Sequence, residues 1–286
     1  MTELGILLAL GCAAASNVAF LCKHRGACAA PAVSLRHPLR SGAALFRSRW
    51  WAIGMAIATG AWLLHVAAMS IAPLSLVQAV IAGGLVLLSY PAERWFGHSL
   101  GRREWIGLGL AALGLAFLAI TVPAGSGSHA QYSVPAMIAF QSGAVALGVA
   151  LFASGHTGSP RHHGALLGAA AGVLIGVTNI AIKGLTSTVP SDVLAIISPW
   201  TAVAVVAAIG SFYAMARSLQ IGEAIAMIAL TSVAANGAAI LGGVLVFGDP
   251  IGGDLVEGLA RGGAFVAVIA AVALMPGPIR AAGARA

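Results

Sequence analysis

Charge is scarce in this 286-residue sequence: Asp, Glu, Lys and Arg together make up 8% of it. A soluble domain carries roughly 25%, because water must solvate its surface, so this composition excludes a soluble globular fold. No polar stretch is long enough to form a separate domain. Cysteine is limited to Cys12, Cys22 and Cys28. That number is odd and the spacing is not that of a metal site, which leaves plain buried or interfacial thiols rather than a disulfide framework. There is no nucleophile elbow, no zinc-type HExxH pair and no Walker loop, so neither an enzyme nor an ATP-driven pump is encoded in recognisable form. Nothing calls for a cofactor.

What the chain has instead is apolar length. Hydrophobic residues make up 59% and the mean hydropathy is +0.96, so lipid must be the solvent for most of the chain. A span needs about 20 apolar residues to cross roughly 30 Å of hydrocarbon. On that basis nine spans are expected, at 3–22, 51–71, 74–92, 104–122, 134–153, 165–182, 193–214, 223–248 and 255–275. Pro73, Pro123, Pro160, Pro190, Pro250 and Pro276 punctuate the breaks. The first run follows Thr2-Glu3 rather than a basic segment and reads as a span, not as a cleaved leader. Glycine is abundant, at 37 residues, and lets helices approach closely in lipid; Gly107, Gly109 and Gly114 are an example.

The net charge of +7 does not point to nucleic acid, because the basic residues sit in the connections between spans, where they face anionic headgroups. With the N-terminus outside, all of the 15 Lys and Arg except Lys183 and Arg261 fall on the inner side. The expectation is a cytoplasmic-membrane protein with N-out and C-in termini, and a basic cytoplasmic loop over residues 23–50.

The two halves echo each other. Gly60, Trp62 and Ile71 are answered by Gly210, Phe212 and Ile221. Gly97-x3-Gly101-x5-Gly107-Leu108 is answered by Gly248-x3-Gly252-x5-Gly258-Leu259, and Ser16-Asn17-Val18-Ala19 by Thr178-Asn179-Ile180-Ala181. These matches divide a single membrane domain (1–286) into a first repeat, 1–155, with five helices, and a second, 160–286, with four. An odd number of spans in the first unit inverts the second, as in many secondary transporters. The expected fold is therefore an all-α polytopic membrane protein of about nine helices in two inverted repeats.

Few polar side chains lie at membrane depth: Asn17, His65, Gln78, Gln141, Asn179, Tyr213 and Asn236. All but Gln141 are candidates to line a substrate path. Asn17 and Asn179 stand foremost, since the repeat makes them equivalent and an amide both donates and accepts; the alternative for both is hydrogen bonding between helices. His65 and Glu223 are the candidates for ion binding or proton coupling. His65 has no visible carboxylate partner, and Glu223 suits the start of a helix. Glu257 and Arg261 are spaced to pair along one helix face. His156, His162 and His163 sit in a Gly/Ser/Pro-rich connection that reads as solvated, with metal binding as the other reading.

Trp50-Trp51, Ile71-Ala72-Pro73-Leu74-Ser75-Leu76-Val77, Gly97-His98-Ser99-Leu100 and Phe247-Gly248-Asp249-Pro250-Ile251 together resemble the drug/metabolite transporter superfamily, in its EamA-like and NIPA-like branch. His98 and Asp249 stand where that family has Glu. The resemblance implies a secondary transporter that alternates access, moving a small organic solute or metabolite. The alternative it implies is NIPA-like transport of magnesium or another divalent cation. The NIPA pattern has Gly-Glu within the second span, whereas Gly60 is followed by Ala61 and no carboxylate occurs between Trp51 and Pro73; magnesium is usually held by one or two carboxylates, which ranks the organic solute first. Lipid and the solute or cation are then the partners, with a second copy of the chain as a further candidate. A non-transporting subunit of a membrane assembly is the reading from another class.

Overall fold

A backbone in hydrocarbon has no water to bond to, so apolar stretches of this length must satisfy their own N–H and C=O groups as helices. The computed structural model describes residues 2–34, 37–71, 101–121, 132–157, 162–188 and 197–247, together with 80, 81, 84, 94, 95, 256, 259, 260, 263, 264 and 267. The main elements are α1 (Thr2–Ala29), α2 (Pro38–Arg47), α3 (Arg49–Ile71), α4 (Arg102–Thr121), α5 (Val134–Thr157), α6 (His163–Thr188), α7 (Pro199–Ile221) and α8 (Ala224–Phe247). Among the described residues there is no strand.

Five segments are long and apolar enough to cross a membrane: Glu3–Ala29, Val134–Gly155, His163–Leu185, Pro199–Ile221 and Ala224–Phe247. The chain is a multi-pass membrane protein. α3 and α4 coincide with the second and fourth expected spans. The third and ninth expected spans lie outside the described residues apart from isolated positions. Leu113 and Val206 are 73% and 70% exposed, which suits apolar solvent. Aromatic side chains gather at both ends of the helices. Tyr132 meets Trp200 and Phe247 at one end, and Trp51, Phe212 and Tyr213 meet at the other. This is the distribution expected of membrane–water boundaries.

The stretch 23–50 differs from the expected loop. α1 continues through Lys23 and Arg25 to Ala29, and α3 already begins at Arg49. Between them lies α2, opened by Pro38 in the first turn, where a missing N–H costs nothing. Its buried residues are Ser41 and Leu45, four apart on one face. Ten residues with two buried positions make too short a pattern to stand out among basic neighbours.

In each half the first helix packs most extensively on the second. α1 runs antiparallel to α3: Gly11 faces Leu64, Gly54 faces Ala19 and Lys23, and Gly26 lies against the backbone of Trp51. α6 runs antiparallel to α7, with Ser218 donating to the Gly164 carbonyl at 2.8 Å and Thr178 to that of Ala204 at 3.4 Å. The described positions of the third expected span lie against α1, and in the second half α8 runs parallel to α6. Ala9 clusters with Val80 and Ile81, and Gly84 lies against Ala13. α6 meets α8 through a line of glycines. Gly164 faces Met227, Gly168 faces Thr231, Gly172 faces Ala234, and Gly176 faces Ala238. Four glycines spaced every four residues give α6 a flat track, and α8 lays small residues along it. A Cβ on Gly172 would stand 2.5 Å from the Thr231 carbonyl oxygen, so only glycine permits this approach.

The largest apolar cluster joins the halves. Leu21 of α1, Leu45 of α2, Trp51 of α3 and Leu108 of α4 pack in it with Leu219 of α7 and Ile225 of α8.

Candidate transport site

Over residues 4–22 α1 is apolar on all sides, so the amide it buries there needs a partner. Asn17 is buried, and its Nδ2 donates to the Gly84 carbonyl at 2.7 Å. A carbonyl can only accept, so the amide is oriented and its oxygen is the atom it has to offer. Asn179, its expected counterpart, is exposed on α6. Its neighbour Thr178 bonds within α6 to the Leu174 carbonyl at 3.0 Å and across to Ala204. The two asparagines thus sit in unequal surroundings, one bonded across to Gly84 and the other facing outward.

Gln141 of α5 is a second buried amide. It donates to the Val177 carbonyl at 3.2 Å, and its buried Oε1 has no hydrogen-bond partner among the described residues. Together Asn17 and Gln141 give the interior two oriented amides whose nitrogens are engaged, and in Gln141 a carbonyl oxygen that is unengaged. Such oxygens suit a polar solute or the hydration shell of a cation.

The other candidates are dispersed. His65 is half-buried on α3 and makes an interaction of its own. Asn236 bonds to the Ser232 carbonyl of its own helix at 2.9 Å. Glu223 is exposed, and its carbonyl accepts the Met227 N–H at the start of α8. Tyr213 lies at the α2 end of α7, where its hydroxyl donates to the Pro38 carbonyl at 2.8 Å. Gln78, His98, Asp249, Glu257 and Arg261 lie outside the described residues. His156 belongs to α5, while His162 and His163 open α6. No cluster of three or more metal-ligating side chains occurs among the described residues. Of the acidic residues among them, Glu3 and Glu223 are exposed, and Glu104 lies in the first turn of α4.

Two residues matter that sequence reasoning passed over. Lys23, expected in a loop, is buried at the α1–α3 crossing beside Gly54, with its Nζ 5.0 Å from the centre of the Phe20 ring. It has no ion pair among the described residues. Gln220, near the end of α7, accepts from the Val33 N–H at 2.9 Å and from Arg217 at 3.2 Å, and donates to the Ala27 and Pro31 carbonyls at 3.0 Å each. It fastens the second half of the chain to the segment leaving α1. The signal for Lys23 was its place in an unbroken helical run; Gln220 offered none, being one polar residue in a mixed helix end.

No family model matches the sequence, and no solved structure matches it. One curated relative matches 126 residues at 29% identity: the probable magnesium transporter NIPA9 of Arabidopsis thaliana. The likeness is to a transporter. It covers 44% of this chain and 34% of the relative, so the matched stretch spans about a third of the relative's length. It agrees with the resemblance read from the motifs, and it favours the cation alternative over the organic solute that was ranked first.

Proposed function

We propose that the chain is a secondary transporter of the NIPA-like kind, carrying magnesium or a related divalent cation. The similarity to the probable magnesium transporter carries this reading; the polytopic apolar fold supports it. The buried groups fit a cation that keeps its water. Magnesium dehydrates reluctantly and is often held through retained waters. Amide and main-chain carbonyl oxygens, such as those at Asn17 and Gln141, are what an interior poor in carboxylates has to offer such an ion. The antiparallel packing of first on second span, seen in both halves, supports two related units, and alternating access would rock one against the other. The asymmetry of the basic residues supports an N-out, C-in orientation in the cytoplasmic membrane.

Lys23 favours a second reading. A buried amino group without an ion pair among the described residues opposes a dication nearby and suits a small organic solute bearing a negative group. Purified protein in liposomes loaded with a magnesium-sensitive dye separates the two. Dye response to external magnesium, competed by manganese or cobalt, is expected. An unresponsive dye combined with exchange of an organic acid would replace the cation by the solute.

A further inference from the structure

The stretch 23–50 contains no Asp or Glu and six basic residues, and the structure turns part of it into α2. One face of α2, Ser41 and Leu45, is buried against the protein. The opposite face carries Leu39, Ala43 and Phe46, spaced i, i+4, i+7, and all three are exposed; Leu39 is 87% exposed. Arg40 and Arg47 each follow one of these residues and flank the stripe, both exposed and without an ion pair among the described residues. An apolar stripe edged by arginines on a short helix between α1 and α3 fits the headgroup–acyl boundary of a membrane. The sign of its charge fits an anionic leaflet.

The same helix is tied to the other half of the chain. Tyr213 donates to the Pro38 carbonyl at 2.8 Å, and Phe212 stacks on Phe46 with centroids 6.3 Å apart and planes 8° from parallel. Gln220 holds Pro31 and Val33 just ahead of α2. Tyr213 and Gln220 are seven residues apart, on one face of α7. These contacts join α2 and the segment ahead of it to α7.

We propose that α2 is a lever that binds anionic phospholipid: Leu39, Ala43 and Phe46 enter the boundary, Arg40 and Arg47 meet the phosphates, and Tyr213 and Gln220 pass its position to α7. The lipid surface is independent of what is transported; only the effect on flux rests on the transport reading.

The test places a fluorophore on Ala43→Cys, with Cys12, Cys22 and Cys28 replaced by alanine, in nanodiscs of phosphatidylcholine with and without phosphatidylglycerol. Nitroxide-bearing lipids serve as quenchers. Quenching should rise with phosphatidylglycerol, and Arg40→Gln with Arg47→Gln should remove that rise, each arginine being worth roughly fivefold in partitioning. In liposomes, magnesium flux should increase several-fold with phosphatidylglycerol. Tyr213→Phe should keep the quenching and lose the lipid dependence of flux. Absent quenching, quenching indifferent to lipid charge, or disulfide crosslinking of Ala43→Cys between two copies overturns the lipid surface. Charge-dependent quenching with lipid-indifferent magnesium flux overturns the lever. Should no magnesium flux occur in any lipid, the transport reading fails while the quenching series still decides the surface.

Discussion

Asn17 and Gly84 are joined by a 2.7 Å hydrogen bond across 67 positions of chain, buried in an apolar stretch of α1. Removing the donor leaves a buried carbonyl unpaired, at a cost of about 1–3 kcal/mol. Asn17→Leu should therefore lower the thermal midpoint in detergent. Asn17→Asp should as well, since burying the carboxyl costs either a desolvated charge or a proton taken up against its ordinary acidity.

Asn179 gives the opposite expectation. It is exposed, so Asn179→Leu should change stability by less than about 0.5 kcal/mol. Magnesium flux falling at an unchanged midpoint would place Asn179 on the substrate path; unchanged flux removes it from consideration.

The glycine track on α6 predicts a sharp contrast within one helix pair. Gly172→Ala forces its methyl into Thr231 and Ala234 of α8 and should cost at least about 1–3 kcal/mol, as overpacking does. Gly237→Ala meets nothing within 4 Å and should be neutral or stabilising by about 0.5–1 kcal/mol, because alanine favours helix. Chemical denaturation of both variants in the same micelle measures the difference; equal midpoints would mean that α6 and α8 are not in this contact.

Lys23 is buried beside one aromatic ring with no carboxylate facing it among the described residues. Such a group opposes folding unless a ligand or a changed conformation makes use of it. Lys23→Met, similar in length, should raise the thermal midpoint. Under the cation reading it should leave magnesium flux intact or faster. Loss of flux together with the gain in stability would instead make Lys23 a contact for a negatively charged solute.

Gln220→Leu leaves the Val33 N–H and the Ala27 and Pro31 carbonyls without their partner. Amide hydrogen exchange over 27–34 should accelerate by about tenfold or more, consistent with the loss of 1.4 kcal/mol or so of local stability. Exchange elsewhere in α1 should be little changed.

The helices were legible because lipid demands long apolar runs, and α5, α6, α7 and α8 overlap the spans read from hydropathy. Boundaries shifted where polar residues continue a helix beyond the hydrocarbon. Lys23 and Arg25 ended the first span on hydropathy but not in the backbone, because a helix already formed gains a hydrogen bond with each added residue. Asn17 was legible as a polar residue in an apolar run, while its bond to Gly84 was not, since nothing in the residue itself names its partner. The glycine track was hidden in plain composition: Gly164, Gly168, Gly172 and Gly176 each look permissive alone, and only their common neighbour α8 gives the spacing meaning. Gln220 and Tyr213 make their contacts with chain segments 175 or more positions away, beyond the reach of local pattern.

That track also has a consequence for how the helix pair keeps its place. A surface repeating every four residues looks the same to its partner after a slide of about 6 Å, so van der Waals contact alone would leave α8 with several nearly equivalent stopping points along α6. The hydroxyl of Thr231, donating to the Gly168 carbonyl at 3.1 Å, distinguishes one stop from the next. A single side chain thus indexes an otherwise degenerate rail, and Thr231→Val, which keeps the shape and removes the donor, would leave the rail without its mark.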